Sequence, residues 1–297
     1  MVCIAGPTAV GKTAVAIQLA RHFSCSIISA DSRQCYRELK IGVARPSMEE
    51  LAEVPHHFIA SHSILDDINA AWYENWALEK AADLFRMNDM VIVCGGTGLY
   101  LRALLHGMDE MPATDPVIRL RIQNDFQEKG MPWLMSEVQL KDPLFAAEGE
   151  MQNPQRMMRA LEVMEQSGRS VISYRSSVAK PRDFDIIKIG LELPREELRE
   201  RIAVRVRKMF NDGLVEEVKS LVTFRNMNAL QTVGYSEIFE YLDGKITLEE
   251  AEQQIIHHTR QYAKRQMTWF RKEEEVKWFG PGDVDAMKED ILKVFTT

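Results

Sequence analysis

The sequence is poor in cysteine, in long apolar runs and in basic charge, and each shortage excludes something. Its four cysteines among 297 residues (Cys3, Cys25, Cys35, Cys94) are scattered with no C-x-x-C pair. Neither a disulfide framework nor a zinc site is indicated, and reduced, partly buried thiols are expected. No apolar run approaches the roughly 20 residues that span a bilayer, and no charged-then-apolar leader precedes the first apolar segment. A cytoplasmic chain without membrane contact is therefore expected. Acidic residues outnumber basic ones, 44 to 37, for a formal charge of −7. That sum disfavours a nucleic-acid partner, although local clusters can override it. Adjacent His56 and His57, on an irregular stretch, lack metal-ligand spacing and read as structural. There is no internal repeat or low-complexity tract. The 45% apolar content suits one large domain, or a core with an insert.

What is present begins at once. Gly6-Pro7-Thr8-Ala9-Val10-Gly11-Lys12-Thr13 fits G-x-x-x-x-G-K-[ST]. The glycines let successive N–H groups point inward at an anion, Lys12 supplies a point charge for terminal phosphate oxygens, and the Thr13 hydroxyl suits a Mg²⁺ ion. Met1 to Ala5 is a short apolar run fit for a buried strand, and Thr13 to Phe23 has helical spacing. The loop thus lies at a helix N-terminus, where free amides and the dipole favour phosphate. The motif identifies a polyphosphate binder without saying which.

Further apolar runs complete a parallel sheet. Cys25 to Ala30 reads as a second strand ending at Asp31-Ser32-Arg33-Gln34, and Met90 to Cys94 as a central strand bounded by Gly95-Gly96. Ligands collect at the carboxyl ends of such strands. Asp31 is there either a base or the cap of the following turn. Ile41 to Pro46 is a loop or edge segment, Ala70 to Met87 a helix, and Thr97 opens another. No acidic residue follows the central strand, which argues against a motor ATPase.

From about residue 109 to 183 the pattern turns to polar helical stretches, Pro116 to Lys129, Pro132 to Lys141 and Pro154 to Ser167, with no buried strand. This is a helical insert. Arg156 and Arg159 share one face there, a pattern that a solvated surface also explains. Phe184 to Leu191 resumes the sheet, and Pro194 opens a helix that Gly213 can end. Arg201, Arg205 and Lys208 form a stripe on it, for an anionic partner or for Glu196, Glu197 and Glu200. A last long helix starts at the capping box Thr247-x-x-Glu250. Its segment Arg260 to Lys272 holds five cations, Lys264 and Arg265 among them, no acid, and interleaved aromatics. In an acidic chain this is the best candidate for a nucleic-acid footprint, although dipole compensation accounts for part of it.

Several separated segments, in order, resemble the tRNA dimethylallyltransferases, also called tRNA isopentenyltransferases. They are GPTAVGKT, ISADSRQCY with IGVARPS, VPHHFI, CGGTGLYLRALL, DP-x-x-R, NPQRMMRALEV, RI-x-x-RV-x-x-M-x-x-x-GL, TVGYSEI and TRQYAKRQMTWFR. TVGY joined to KRQMTWFR is far more specific than the phosphate loop. The resemblance implies a P-loop NTPase-like α/β core (1–108 and 184–297) with a tRNA-clasping helical insert (109–183). It implies transfer of a dimethylallyl group from dimethylallyl diphosphate to N6 of the adenosine 3′-adjacent to the anticodon, in tRNAs reading codons that start with U. A monomer with Mg²⁺ as cofactor is expected.

Residue by residue, the resemblance implies that Gly6 to Thr13 hold the donor diphosphate, with Thr8, Lys12, Thr13 and Arg205 acting on the leaving group. Asp31 matches the general base and Thr97 a position beside it. The target base is expected flipped into a channel. RNA contacts map onto Asp31, Ser32, Arg33, Gln34, Thr97, Arg119, Gln155, Arg156, Met157, Met158, Arg159, Gln231, Thr232, Val233, Gly234, Tyr235 and Ser236. The chain departs from the family at Arg33, Val43, Arg45 and Ala60. Rival functions are a P-loop small-molecule kinase using ATP, an adenylate isopentenyltransferase acting on free nucleotides, and a nucleotide-gated RNA-binding module.

Overall fold

The computed structural model describes residues 1–113, 115–176 and 178–295, with residue 295 described by its backbone alone. In chain order the first elements are β1 (Val2–Ala5), α1 (Lys12–His22), β2 (Ile27–Ser29), α2 (Met48–Glu53), β3 (His56–His57), α3 (Ala70–Phe85), β4 (Ile92–Cys94) and α4 (Gly98–His106). Then come α5 (Pro116–Lys141), α6 (Pro143–Glu148), α7 (Pro154–Ser167), β5 (Ile187–Leu191), α8 (Arg195–Asn211) and α9 (Leu214–Ser220). The chain ends with α10 (Tyr235–Leu242), α11 (Leu248–Phe270), β6 (Lys277–Phe279) and α12 (Val284–Phe295). It divides into two compact units, Met1–Leu105 with Pro181–Thr297, and His106–Lys180. The second unit's bounds fall three residues before those read from the sequence.

In the first unit all six strands are parallel, in the order β3-β2-β4-β1-β5-β6. The short apolar runs become strands because both faces are covered. One face is packed by Val15 and Leu19 of α1 and Met287 and Ile291 of α12, against Ile4, Ile92 and Ile189. Elsewhere in the unit an aromatic cluster forms around Tyr73 of α3, stacked on Tyr100 of α4 at 4.2 Å, with its hydroxyl donating to Ser29 O. Strand order places β1 between β4 and β5, so the loop after β1 opens at the switch point where α/β sheets bind ligands. His56 and His57 correct one expectation: they form the edge strand β3, not an irregular stretch. β6 lacked a signal because Lys277-Trp278-Phe279 follows Glu273-Glu274-Glu275 and belongs to no apolar run.

The second unit packs α5 and α7 around Ile122, Leu134, Val138, Phe145, Met157 and Leu161. Gly130, at φ 71° and ψ −168°, breaks α5 internally, so the two stretches expected there adjoin in one kinked helix. Buried Asp142 accepts from the Phe145 N–H and the Ser170 hydroxyl, closing the unit. Its first and last residues meet, with the Lys180 N–H donating to His106 O at 2.8 Å.

Candidate active site

The loop from Gly6 to Lys12 adopts the conformation its composition permits. Gly6 and Gly11 have φ of 152° and 109°, and a Cβ on Gly6 would lie 2.7 Å from Leu191 O. Ala9 holds a left-handed φ of 65°, a strain of the kind that clusters at ligand sites. Gly11 caps α1 with no side-chain acceptor, leaving first-turn amides open to an anion. Lys12 Nζ donates to Gly6 O and Pro7 O at 2.9 and 2.8 Å. Burial pulls its pKa down to about 8, against the opposing pull of Cys94 and Asp31. Arg205 of α8 donates to Thr8 Oγ1 at 3.2 Å, and burial lowers its pKa too. Arg201, from the same stripe, donates to Val10 O at 3.4 Å and pairs with Glu197. Arg205 is thus the member of the stripe that α8 directs at the loop's hydroxyl.

Across from the loop stand the ends of β2 and β4. A Cβ at Gly95 would lie 2.1 Å from Ala30 O, so the Gly-Gly after β4 is a packing requirement. Asp31 Oδ1 accepts the Arg33 and Gln34 N–H groups at 2.9 and 3.3 Å. The side chain therefore caps its turn, as one of the two readings had it, and also lines the site. Thr97 Oγ1 accepts the Ser32 N–H at 3.0 Å, fixing the backbone beside Asp31.

Two cavities meet here. One, of about 390 Å³, is lined by Thr8, Ala9, Gly11, Lys12, Thr13, Asp31, Arg33, Cys94, Gly95, Gly96 and Arg205, with an apolar side from Val206, Met209 and Ile255. The other, of about 490 Å³, is lined by Asp31, Ser32, Arg33, Gln231, Thr232, Val233, Ser236, Glu237, His258, Tyr262 and Arg265. Asp31, Arg33, Thr232, Val233 and Tyr262 belong to both. A carboxylate thus lies where the cavity lined by the phosphate-loop motif and a second, polar cavity share their lining.

A family model for IPP transferase matches residues 34–273. The chain belongs to that family. It is 45% identical over 284 residues to the tRNA dimethylallyltransferase of Cytophaga hutchinsonii, covering 96% of this chain and 93% of that one. The full-length tRNA isopentenylpyrophosphate transferase of Bacillus halodurans superposes with a TM-score of 0.71 at 34% identity, over 99% and 95% of the two chains. A eukaryotic dimethylallyltransferase acting on tRNA superposes with 0.75 at 25% identity, over 96% and 74%. Relatives of this kind do not favour the kinase or free-nucleotide alternatives.

For an IPP transferase, the remaining expected RNA-contact residues fall into three groups. Ser32, Arg33, Gln231, Thr232, Val233, Ser236 and Arg265 line the second cavity, and Gln34 lines the first while its amide donates to Val43 O and Ala44 O. Gly234 also lines the first, and Lys264 is exposed beside Trp269. In the helical unit, Arg119 and Arg159 approach buried Glu162, Arg156 pairs with Glu150, and Gln155 is exposed. Met157, Met158 and Tyr235, also expected at the RNA, present no exposed side chain. Their side chains are buried, the methionines in the helical core and Tyr235 with its hydroxyl on Glu217 at 2.6 Å.

Sequence reasoning missed Glu217 and Gln266. The Glu217 carboxylate accepts the N–H groups of Lys40, Ile41 and Gly42 and the Tyr235 hydroxyl, holding the loop that brings Arg45 to the first cavity. Nothing local signals that role. Gln266 had a signal, a polar residue on the buried stripe of Ala263 and Phe270.

Proposed function

We infer that this protein transfers a dimethylallyl group from dimethylallyl diphosphate to N6 of the adenosine 3′-adjacent to the anticodon in tRNAs reading codons that start with U, releasing diphosphate. The observation carrying this reading is Asp31 at the junction of the phosphate-loop cavity and the polar second cavity. The donor's diphosphate suits the loop amides, Lys12, Arg205 and Thr8, which stabilise charge developing on the leaving oxygen. The apolar side at Val206, Met209 and Ile255 suits its hydrocarbon tail. An adenine extruded from the anticodon loop enters the second cavity. Its N6 lone pair is delocalised into the ring, so removal of the N6 proton by Asp31 during attack matters.

Among the described residues no cluster of three or more His, Cys, Asp or Glu is present that could hold a metal. Mg²⁺ fits this chemistry nonetheless, since it favours substrate phosphates with few protein ligands. Thr13, lining the loop cavity, would share it with the donor, and the ion would neutralise charge on the diphosphate. Arg265 and Lys264 of α11 suit RNA phosphates, and within the helical unit Arg119, Gln155, Arg156 and Arg159 are the residues proposed for RNA contact. Such a substrate suits the cytoplasm, and cavities lined within one chain suit a monomer; no helix among the described residues is long and apolar enough to cross a membrane. The test is incubation with Mg²⁺, unmodified tRNA and dimethylallyl diphosphate, then mass analysis of digested nucleosides. A dimethylallyl mass increment on adenosine is expected. Consumption of a nucleoside triphosphate with unaltered RNA would overturn the reading.

A further inference from the structure

Gln266 of α11 is buried with both ends of its amide engaged. Its Oε1 accepts the Thr8 N–H at 2.8 Å, and its Nε2 donates to Gly96 O at 2.8 Å. Thr8 belongs to the donor loop. Gly96 precedes Thr97, whose hydroxyl accepts from Ser32 beside Asp31. One side chain therefore ties the loop facing the leaving group to the turn that supports the base. A Cβ at Gly96 would lie 2.4 Å from Gln266 Nε2, so the glycine is what makes room for the bridge. One turn back on the same helix, Tyr262 lines both cavities.

We propose that Gln266 is a positioning residue: it fixes the separation of the donor loop from Asp31 and so directs the allylic carbon to adenine N6 instead of to water. This rests on the prenyl-transfer reading above. In productive turnover the C1–O bond to diphosphate breaks, the N6–C1 bond forms, and the N6 proton passes to Asp31. With the bridge gone, Lys12, Arg205 and the loop amides still hold the diphosphate, but the two reactants lose register. A misplacement of about 1 Å costs roughly 100-fold in rate. Water then competes. The same C1–O bond breaks, a water oxygen bonds to C1 and its proton goes to solvent, giving dimethylallyl alcohol and diphosphate.

The experiment compares wild type with Gln266→Ala and with Gln266→Met, which keeps side-chain volume should the smaller residue fail to fold. With Mg²⁺, dimethylallyl diphosphate and unmodified tRNA, it measures diphosphate released per nucleoside alkylated, together with kcat and the KM for donor. Wild type should release about one diphosphate per alkylation; both variants should exceed about three, with kcat down about 30- to 100-fold and KM within about threefold. A merely structural residue would lower the active fraction and leave the ratio at one. A ratio of one in both variants overturns the proposal while the transfer activity stands. A wild type that alkylates no nucleoside overturns the prenyl-transfer reading and the proposal with it.

Discussion

Asp31 meets two demands with one side chain. Oδ1 is committed to the turn through Arg33 and Gln34, which holds the carboxylate where the two cavities share their lining. Asp31→Ala is accordingly expected to cut transfer by at least about 100-fold while calorimetric diphosphate binding persists; loss of both would make it structural. Lys12 carries a pH signature. Burial brings its pKa to about 8, and a bound polyanion raises it again. Below that pH the ammonium is already charged and donor affinity should be flat. Above it, binding must take up a proton, so affinity should fall by up to about tenfold per pH unit, and this slope should vanish in Lys12→Ala. Titrations with diphosphate from pH 7 to 9.5 read it directly. The ligand-free protein has the opposite trend: the unfolded lysine keeps its proton up to 10.5, so stability should rise as pH climbs from about 8.

At the scale of elements, α11 does the most. Its capping box, Thr247 with Glu250, is formed as its local spacing dictates, and its apolar stripe buries Ile255, Ala263 and Phe270. Its last turns expose Lys264 and Arg265, with the Arg265 guanidinium 5.9 Å from the Tyr262 ring, and exposed Lys272 follows the helix end. If that face meets RNA phosphates, replacing Lys264 and Arg265 by Ala should weaken tRNA binding and lower the slope of log affinity against log salt by about one per cation. Unchanged slopes would assign the charges to the helix dipole instead. Elements with a long periodic or continuous apolar signal, such as α3, α7 and β5, were legible in the sequence. β3 and β6 were not, because neither His56-His57 nor Lys277-Trp278-Phe279 is an apolar run of the kind that marks β2 and β4, and their pairing is set by the neighbouring strand.

For the whole molecule, the division into units has a consequence. His106 and Lys180 are hydrogen-bonded, so the helical unit leaves the chain where it entered, and its core of Ile122, Leu134 and Phe145 lies within its own bounds. Replacing residues 107–179 with a short Gly/Ser link should leave diphosphate affinity within about threefold and weaken tRNA binding more than about tenfold, as gel-shift and calorimetric measurements would show. Equal loss of both would mean that the unit stabilises the core. By itself the sequence determined the phosphate loop, the capping box at Thr247 and the longer parallel-strand runs, since each depends on residues a few positions apart. Tertiary structure alone decided that Gln266 grips Thr8, that Glu217 holds residues 40–42, and that Met157, Met158 and Tyr235 turn inward. The two polar contacts join groups well over 100 residues apart, and each burial is settled by whichever elements cover the side chain. No local spacing encodes either.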